Sequence, residues 1–140
     1  MYKDFTEMPV WRSSMEAAEL IFRISDDLPK KEDYGLTSQL RRACVSISAN
    51  IAEAFGRSTP ADKSKFYDYA RGSAQETKSL LLYGCKVGYF NNESVEGLIE
   101  KINTIIHDLN KVKLSLANKP KMYSPYPKPP QSQPQPLSQS

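Results

Sequence analysis

Apolar residues return at alternating spacings of three and four along four separate stretches of this chain. No stretch alternates with period two for long enough to argue a strand. That periodicity restricts the fold to packed helices. In the first stretch, from Pro9 to Leu28, Val10, Ser14, Ala17, Ile21, Ile24 and Leu28 form one stripe. Trp11, Met15, Ala18 and Phe22 form a parallel one, and together they predict a wide buried face. The opposite face carries Arg12/Glu16, Glu19/Arg23 and Arg23/Asp27, which are pairs of opposite sign four residues apart. Pro9 suits a first helical position, and Leu28-Pro29 ends the run because a residue before proline avoids the helical region.

A second helix is expected from about Leu36 to Phe55, with Leu40, Cys44, Ile47, Ile51 and Phe55 inward and Gly56 as a left-handed stop. Thr59 then reads as a cap, with Pro60 in the first turn and Asp62 near the positive helix end. The third helix, Pro60 to about Val87, places Phe66, Ala70, Ser73, Thr77, Leu80/Leu81, Gly84 and Gly88 along one side. Its small residues allow a close neighbour, and Phe66 is a core position. The turn-forming segment 88–92 leads to a fourth helix, about Ser94 to Ala117, with Val95, Leu98, Ile102, Ile105, Leu109, Val112 and Leu116 as its seam. Four amphipathic helices with short connections predict an all-α, antiparallel up-down-up-down four-helix bundle over residues 1–117. Helices of this length span roughly 30–42 Å, so the bundle is elongated. Residues 118–140 break the pattern: they hold seven of the ten prolines, interleaved with Ser and Gln, and are expected to be a disordered tail.

Charge divides at the same place. The chain of 140 residues carries a formal +3, yet Lys119, Lys121 and Lys128 lie beyond residue 117 without an acid beside them. Residues 1–117 therefore hold sixteen basic and sixteen acidic side chains, and a nucleic-acid argument must rest on local patches. One histidine excludes most metal sites and nearly every histidine-dependent catalytic scheme, so the composition disfavours an enzyme and calls for no cofactor. His107 and Asp108 are sequence neighbours on a helix and form no relay by spacing. Two cysteines without CxxC spacing read as small core residues and make a reducing cytoplasm the expected compartment. No apolar run suits a membrane span, and Met1–Val10 lacks a signal-peptide pattern.

One polar constellation stands out. Gln39, Arg42, Ser46, Asn50, Glu53 and Arg57 recur at spacings of three or four beside the apolar stripe of the second helix, and the third offers Arg71, Gln75 and Glu76. Two readings follow. These groups satisfy each other as hydrogen-bonded ion pairs across the bundle or between subunits, fixing helix register. Alternatively, they form a site for phosphate or a base. Tyr67 and Tyr69 allow a similar choice between stacking on bases and an intersubunit contact. In the tail, Pro127-Lys128-Pro129-Pro130 has the PxxP form, which is common in any proline-rich extension.

Three blocks carry a family resemblance: Val10-Trp11 with the run from Glu32 to Ala43, the run Val45 to Arg57, and Ala70 to Glu76. Across roughly residues 9–117 the chain resembles the small bacterial four-helix proteins encoded by intervening sequences in 23S ribosomal RNA genes. The tail has no counterpart there. The resemblance implies assembly into a homopentamer, a ring with a central channel. The family is similar to the accessory variability determinant of diversity-generating retroelements, which implies nucleic acid, RNA or DNA, and a reverse transcriptase as partners. On that resemblance the shared polar positions fall on Arg41, Arg42, Ser46, Asn50, Glu53, Arg57, Arg71 and Glu76. Arg41, Arg42, Arg57 and Arg71 are the expected nucleic-acid contacts, and Gln39, Ser46, Asn50, Glu53 and Glu76 the expected structural polar network. Ser48 stands where the family often has proline and Ala54 where it usually has glycine, so a straighter second helix is expected. The implied function is a non-enzymatic, ring-forming accessory protein; the competing one is a protein-interaction module that binds no nucleic acid.

Overall fold

Each of the four periodic stretches forms a helix in the computed structural model, which describes residues 1–118. Helix α1 runs Pro9–Ser25, α2 Leu36–Gly56, α3 Pro60–Lys86 and α4 Asn92–Ala117. Contacts join α1 to α2, α2 to α3, α3 to α4 and α4 back to α1, with no diagonal pair, so the helices form a closed four-membered bundle. Its core is a column of fully buried side chains, among them Ile21, Leu40, Ile47, Ile51, Leu81, Ile102, Ile105 and Leu109. The expected disordered tail and its PxxP segment lie outside the described residues.

The helix ends follow local chemistry. Thr59 Oγ1 accepts from the Asp62 backbone N–H at 3.1 Å, and Pro60 opens α3, as its sequence predicts. Asn91 caps α4 through the Glu93 N–H, which starts that helix two residues before the expected Ser94. At the other end of the chain, an Asp4/Glu7 capping box folds Phe5–Glu7 into a short 3-10 turn that the sequence reading omitted. Phe5 packs edge-on against Trp11 and Phe55, tying that turn to α1 and α2.

Four expectations need correction. Helix α1 stops at Ser25 rather than Leu28, because the chain tightens into a turn in which the Leu28 N–H donates to the Ser25 carbonyl. Leu28 is still buried, so the apolar stripe continues past the helix that carries it. The buried face of α1 is also narrower than expected: Met15 and Phe22 are 38% and 56% exposed. Gly56 ends α2 without a left-handed residue, since the chain leaves through Arg57 in extended backbone; the positive φ, +85°, belongs to Gly88. Tyr67, rather than Phe66, takes the fully buried place on α3, with Phe66 half-buried at the α2 edge. Small residues do permit one close approach, at Gly84. The Phe90 ring sits so near it that a Cβ there would collide with Cδ2 and Cε2 of that ring. Gly88 thus lies in the turn itself, and Gly84 is the residue under the ring.

Helix α2 is continuous through Ser48 and Ala54, as expected. Ser48 is buried and its hydroxyl donates to the Val45 carbonyl at 3.1 Å, and Ala54 is fully buried. A proline at position 48 would remove a backbone hydrogen bond and clash with the preceding turn, and alanine at position 54 favours helix over glycine by ~1 kcal/mol.

Candidate nucleic-acid interface

The four arginines occupy three different edges of the bundle. Arg41 faces α1: its Nε donates to Ser25 Oγ at 2.7 Å and its Nη2 to the Phe22 carbonyl and the Asp26 carboxylate at 3.2 and 2.8 Å. The same guanidinium lies 4.5 Å from the centroid of the Phe22 ring. It holds the end of α1 and stabilises the early stop there by taking up a terminal carbonyl. Arg71 faces α4, donating to Asn110 Oδ1 at 2.8 Å and pairing with Asp68 at 3.0 Å. Asp68 also receives Lys113 of α4, so Arg71 and Lys113 share one carboxylate across the α3–α4 seam. Arg41 and Arg71 therefore have full intrachain roles.

Arg57 lies where α2 meets α3, and Arg42 shares the face of α2 that carries Ser46, whose hydroxyl meets Ser73 of α3. Arg42 is exposed and makes one long contact, 3.5 Å to Ser38 Oγ. Arg57, just past the end of α2, pairs at 2.6 Å with Glu53 in the last turn of that helix, and its guanidinium lies 4.4 Å from the Phe66 centroid. With both partners about half exposed, such a pair stabilises the fold by well under ~1 kcal/mol. The ion pair is therefore a weak tether, and the Phe66 ring is the other contact that holds the guanidinium.

The expected polar network divides. Ser46 and Asn50 are joined within α2, Asn50 Nδ2 donating to the Ser46 carbonyl and hydroxyl at 2.8 and 3.0 Å. Ser73 of α3 completes that cluster, its hydroxyl donating to Ser46 Oγ at 2.9 Å. It is a small-residue position in the sequence, and its role appears only once α2 and α3 are side by side. Glu53 joins Arg57 instead, while Gln39 and Glu76 are exposed and make no side-chain hydrogen bond among the described residues. The network is thus a three-residue clasp rather than a continuous ladder.

The sequence reading missed the aromatic side of this edge. Phe66 and Tyr69 pack at right angles with centroids 5.4 Å apart, and the Lys65 ammonium lies 6.0 and 5.9 Å from the two rings. Lys63 donates to the Phe55 and Ala54 carbonyls at 2.7 and 3.4 Å, capping the end of α2 from the first turn of α3. The signal for this arrangement was the Phe66-to-Tyr69 spacing of three, which puts both on one face.

Elsewhere the chemistry is sparse. Among the described residues no group of three or more His, Cys, Asp or Glu could hold a metal ion, and no helix is long and apolar enough to cross a membrane. The Cys44 thiol is buried and desolvation pushes its pKa from 9.0 up to about 12, which leaves it unreactive at neutral pH. Burial likewise raises the Tyr67 phenol, whose hydroxyl meets Met8 Sδ at 3.9 Å, a weak acceptor.

Comparison with known proteins gives the chain its context. A search of curated proteins found no match. Among solved structures, a protein of unknown function from the S23 ribosomal protein family of Bacteroides thetaiotaomicron VPI-5482 is similar. It is 26% identical, with a TM-score of 0.69 over 74% of this chain and 97% of that one. The family model described as 23S rRNA-intervening sequence protein matches residues 6–111, which spans the four helices up to the last turns of α4. No catalytic family is indicated by either match, and the chain belongs to the 23S rRNA-intervening sequence protein family.

Proposed function

We propose that this protein is a non-enzymatic, self-assembling accessory protein of the cytoplasm that binds nucleic acid through the α2–α3 edge. A homopentameric ring is the assembly we favour, and a nucleic-acid enzyme such as a reverse transcriptase the protein partner. The observation that carries the reading is the placement of Arg42 and Arg57. Arg42 projects from α2 and Arg57 follows its last residue; one long hydrogen bond holds the first, and a weak ion pair together with the Phe66 ring holds the second. Five copies around an axis would convert two such side chains per subunit into a ring of ten, a local positive field although residues 1–117 are neutral. Arg41 and Arg71, spent on α1 and α4, then act as positioning residues for the helices rather than as phosphate contacts.

The test is affinity for a single-stranded RNA measured at several salt concentrations on chain of known mass by light scattering. Binding should weaken by about one log unit per log unit of salt for each phosphate neutralised. Arg42→Ala and Arg57→Ala should each reduce that slope without dissociating the assembly. Absence of RNA binding at low salt sinks this reading. It would leave the alternative, a protein-interaction module, which the neutrality of residues 1–117 favours. In that case Arg42→Ala or Glu53→Ala should instead lower the assembled mass.

A further inference from the structure

The α2–α3 edge carries a feature that phosphate contacts alone do not use. Arg57 lies over the Phe66 ring, Phe66 meets Tyr69 edge to face, and Lys65 sits near both rings. Tyr69 is 48% exposed, on a helix whose buried aromatic is its neighbour Tyr67. Its hydroxyl has no hydrogen-bond partner among the described residues. A core role does not account for that ring, and amphipathic rings of this kind are enriched where proteins make contacts.

We infer that the Tyr69 ring and the Arg57 guanidinium, braced by Phe66 and flanked by Lys65, form a stacking platform for unpaired bases of a single-stranded nucleic acid. The inference rests on the nucleic-acid reading above and names the form of the ligand. Three physical points support it. A ring on the convex edge of a helix can reach a base face only where that base is not already stacked in a duplex. Cations placed beside rings match a strand whose phosphates alternate with bases, and a guanidinium over a ring adds its own planar face to the stack. Finally, Phe66 is held in place by Arg57 above and Tyr69 at its edge, so the platform is ordered before a strand arrives and little side-chain entropy is lost on binding. A purely apolar protein partner would instead be met by two or more charges at the centre of its contact.

The experiment uses the full chain and a fluorescent oligouridine of about 20 nucleotides, longer than the ~4–16 that a stacking groove spans. Anisotropy is read at two salt concentrations, with a duplex of the same length as competitor. Tyr69→Leu should weaken single-strand affinity by about 5-fold or more with the salt slope unchanged, because stacking is lost and no charge is removed. Tyr69→Phe keeps the ring and should bind as the wild type does. Arg57→Ala should lower the slope by about one. The duplex should compete poorly. Leucine is a good helix former at an exposed position, and unchanged circular dichroism and mass would exclude a folding or assembly effect. Wild-type affinity retained in Tyr69→Leu, or equal loss in Tyr69→Phe, overturns the platform while leaving nucleic-acid binding intact. No binding by the wild type overturns both.

Discussion

Cys44 and Cys85 each follow a small residue on a helix, and as residue types they read alike. Their surroundings separate them. Cys44 is fully buried between α2 and its neighbours, while Cys85 is partly open near the end of α3. A thiol-specific reagent at neutral pH should therefore label Cys85 in the native chain and spare Cys44, as peptide mapping would reveal; equal labelling would mean that the core opens readily. The same burial has a pH consequence. The folded Cys44 holds its proton up to about pH 12, whereas an unfolded thiol loses it near 9.0. Between those values the unfolded chain binds fewer protons, so this contribution to stability is complete below pH 9 and is lost as pH rises through the window. At this scale the sequence was least legible. Periodicity placed Phe66 inside and left Tyr67 undecided, but the packed helix rotates Tyr67 into the core and Phe66 toward Arg57. A rotation of that size is set by which neighbours α3 touches, which a single helical pattern does not contain.

Among the elements, helix existence and order were legible because each helix carries its own apolar stripe and, for α3, its own cap. Boundaries were less so. The stop of α1 at Ser25 depends on Arg41, sixteen residues away, reaching back to the carbonyl of Phe22. The turn between α3 and α4 likewise depends on a contact across it. Phe90 folds back over Gly84, and the Tyr89 and Phe90 N–H groups both donate to the Gly84 carbonyl, at 2.8 and 3.2 Å. Gly84→Ala should displace that ring and destabilise the fold by ~1–3 kcal/mol, seen as a lower urea midpoint at unchanged slope. An unchanged midpoint would mean that Phe90 relocates freely. Gly72→Ala, in open space on the same helix, is the control and should stabilise slightly.

For the whole molecule, the division of charge decides where nucleic-acid affinity resides. The folded helices are neutral and the excess of three belongs to lysines beyond residue 117. If the α2–α3 edge binds RNA, a chain ending at Asn118 should still bind, with a salt slope reduced by at most about three. Complete loss on that truncation would assign the affinity to residues 119–140. Fold class was readable from the sequence because it follows from the sum of four strong patterns. The candidate site was readable only in part: spacing singled out Arg42 and Arg57, but the pairing of Arg41 with α1 and Arg71 with α4 is a product of assembly of the bundle.

The ring of helix contacts has an unequal seam. Three of its four joints connect chain neighbours, and the fourth, between α4 and α1, is the least extensive and carries a single described ion pair, Lys101 with Glu16 at 2.6 Å. Three hairpin-like joints can close over short loops, so most of the topology forms without a large loss of chain entropy. The fourth must wait for the ends of the bundle to meet. Once formed, it is also the joint whose opening sacrifices least, and α1 is the helix that such an opening would release. Slow breathing of this protein is therefore expected to take the form of one helix swinging away from a three-helix remainder.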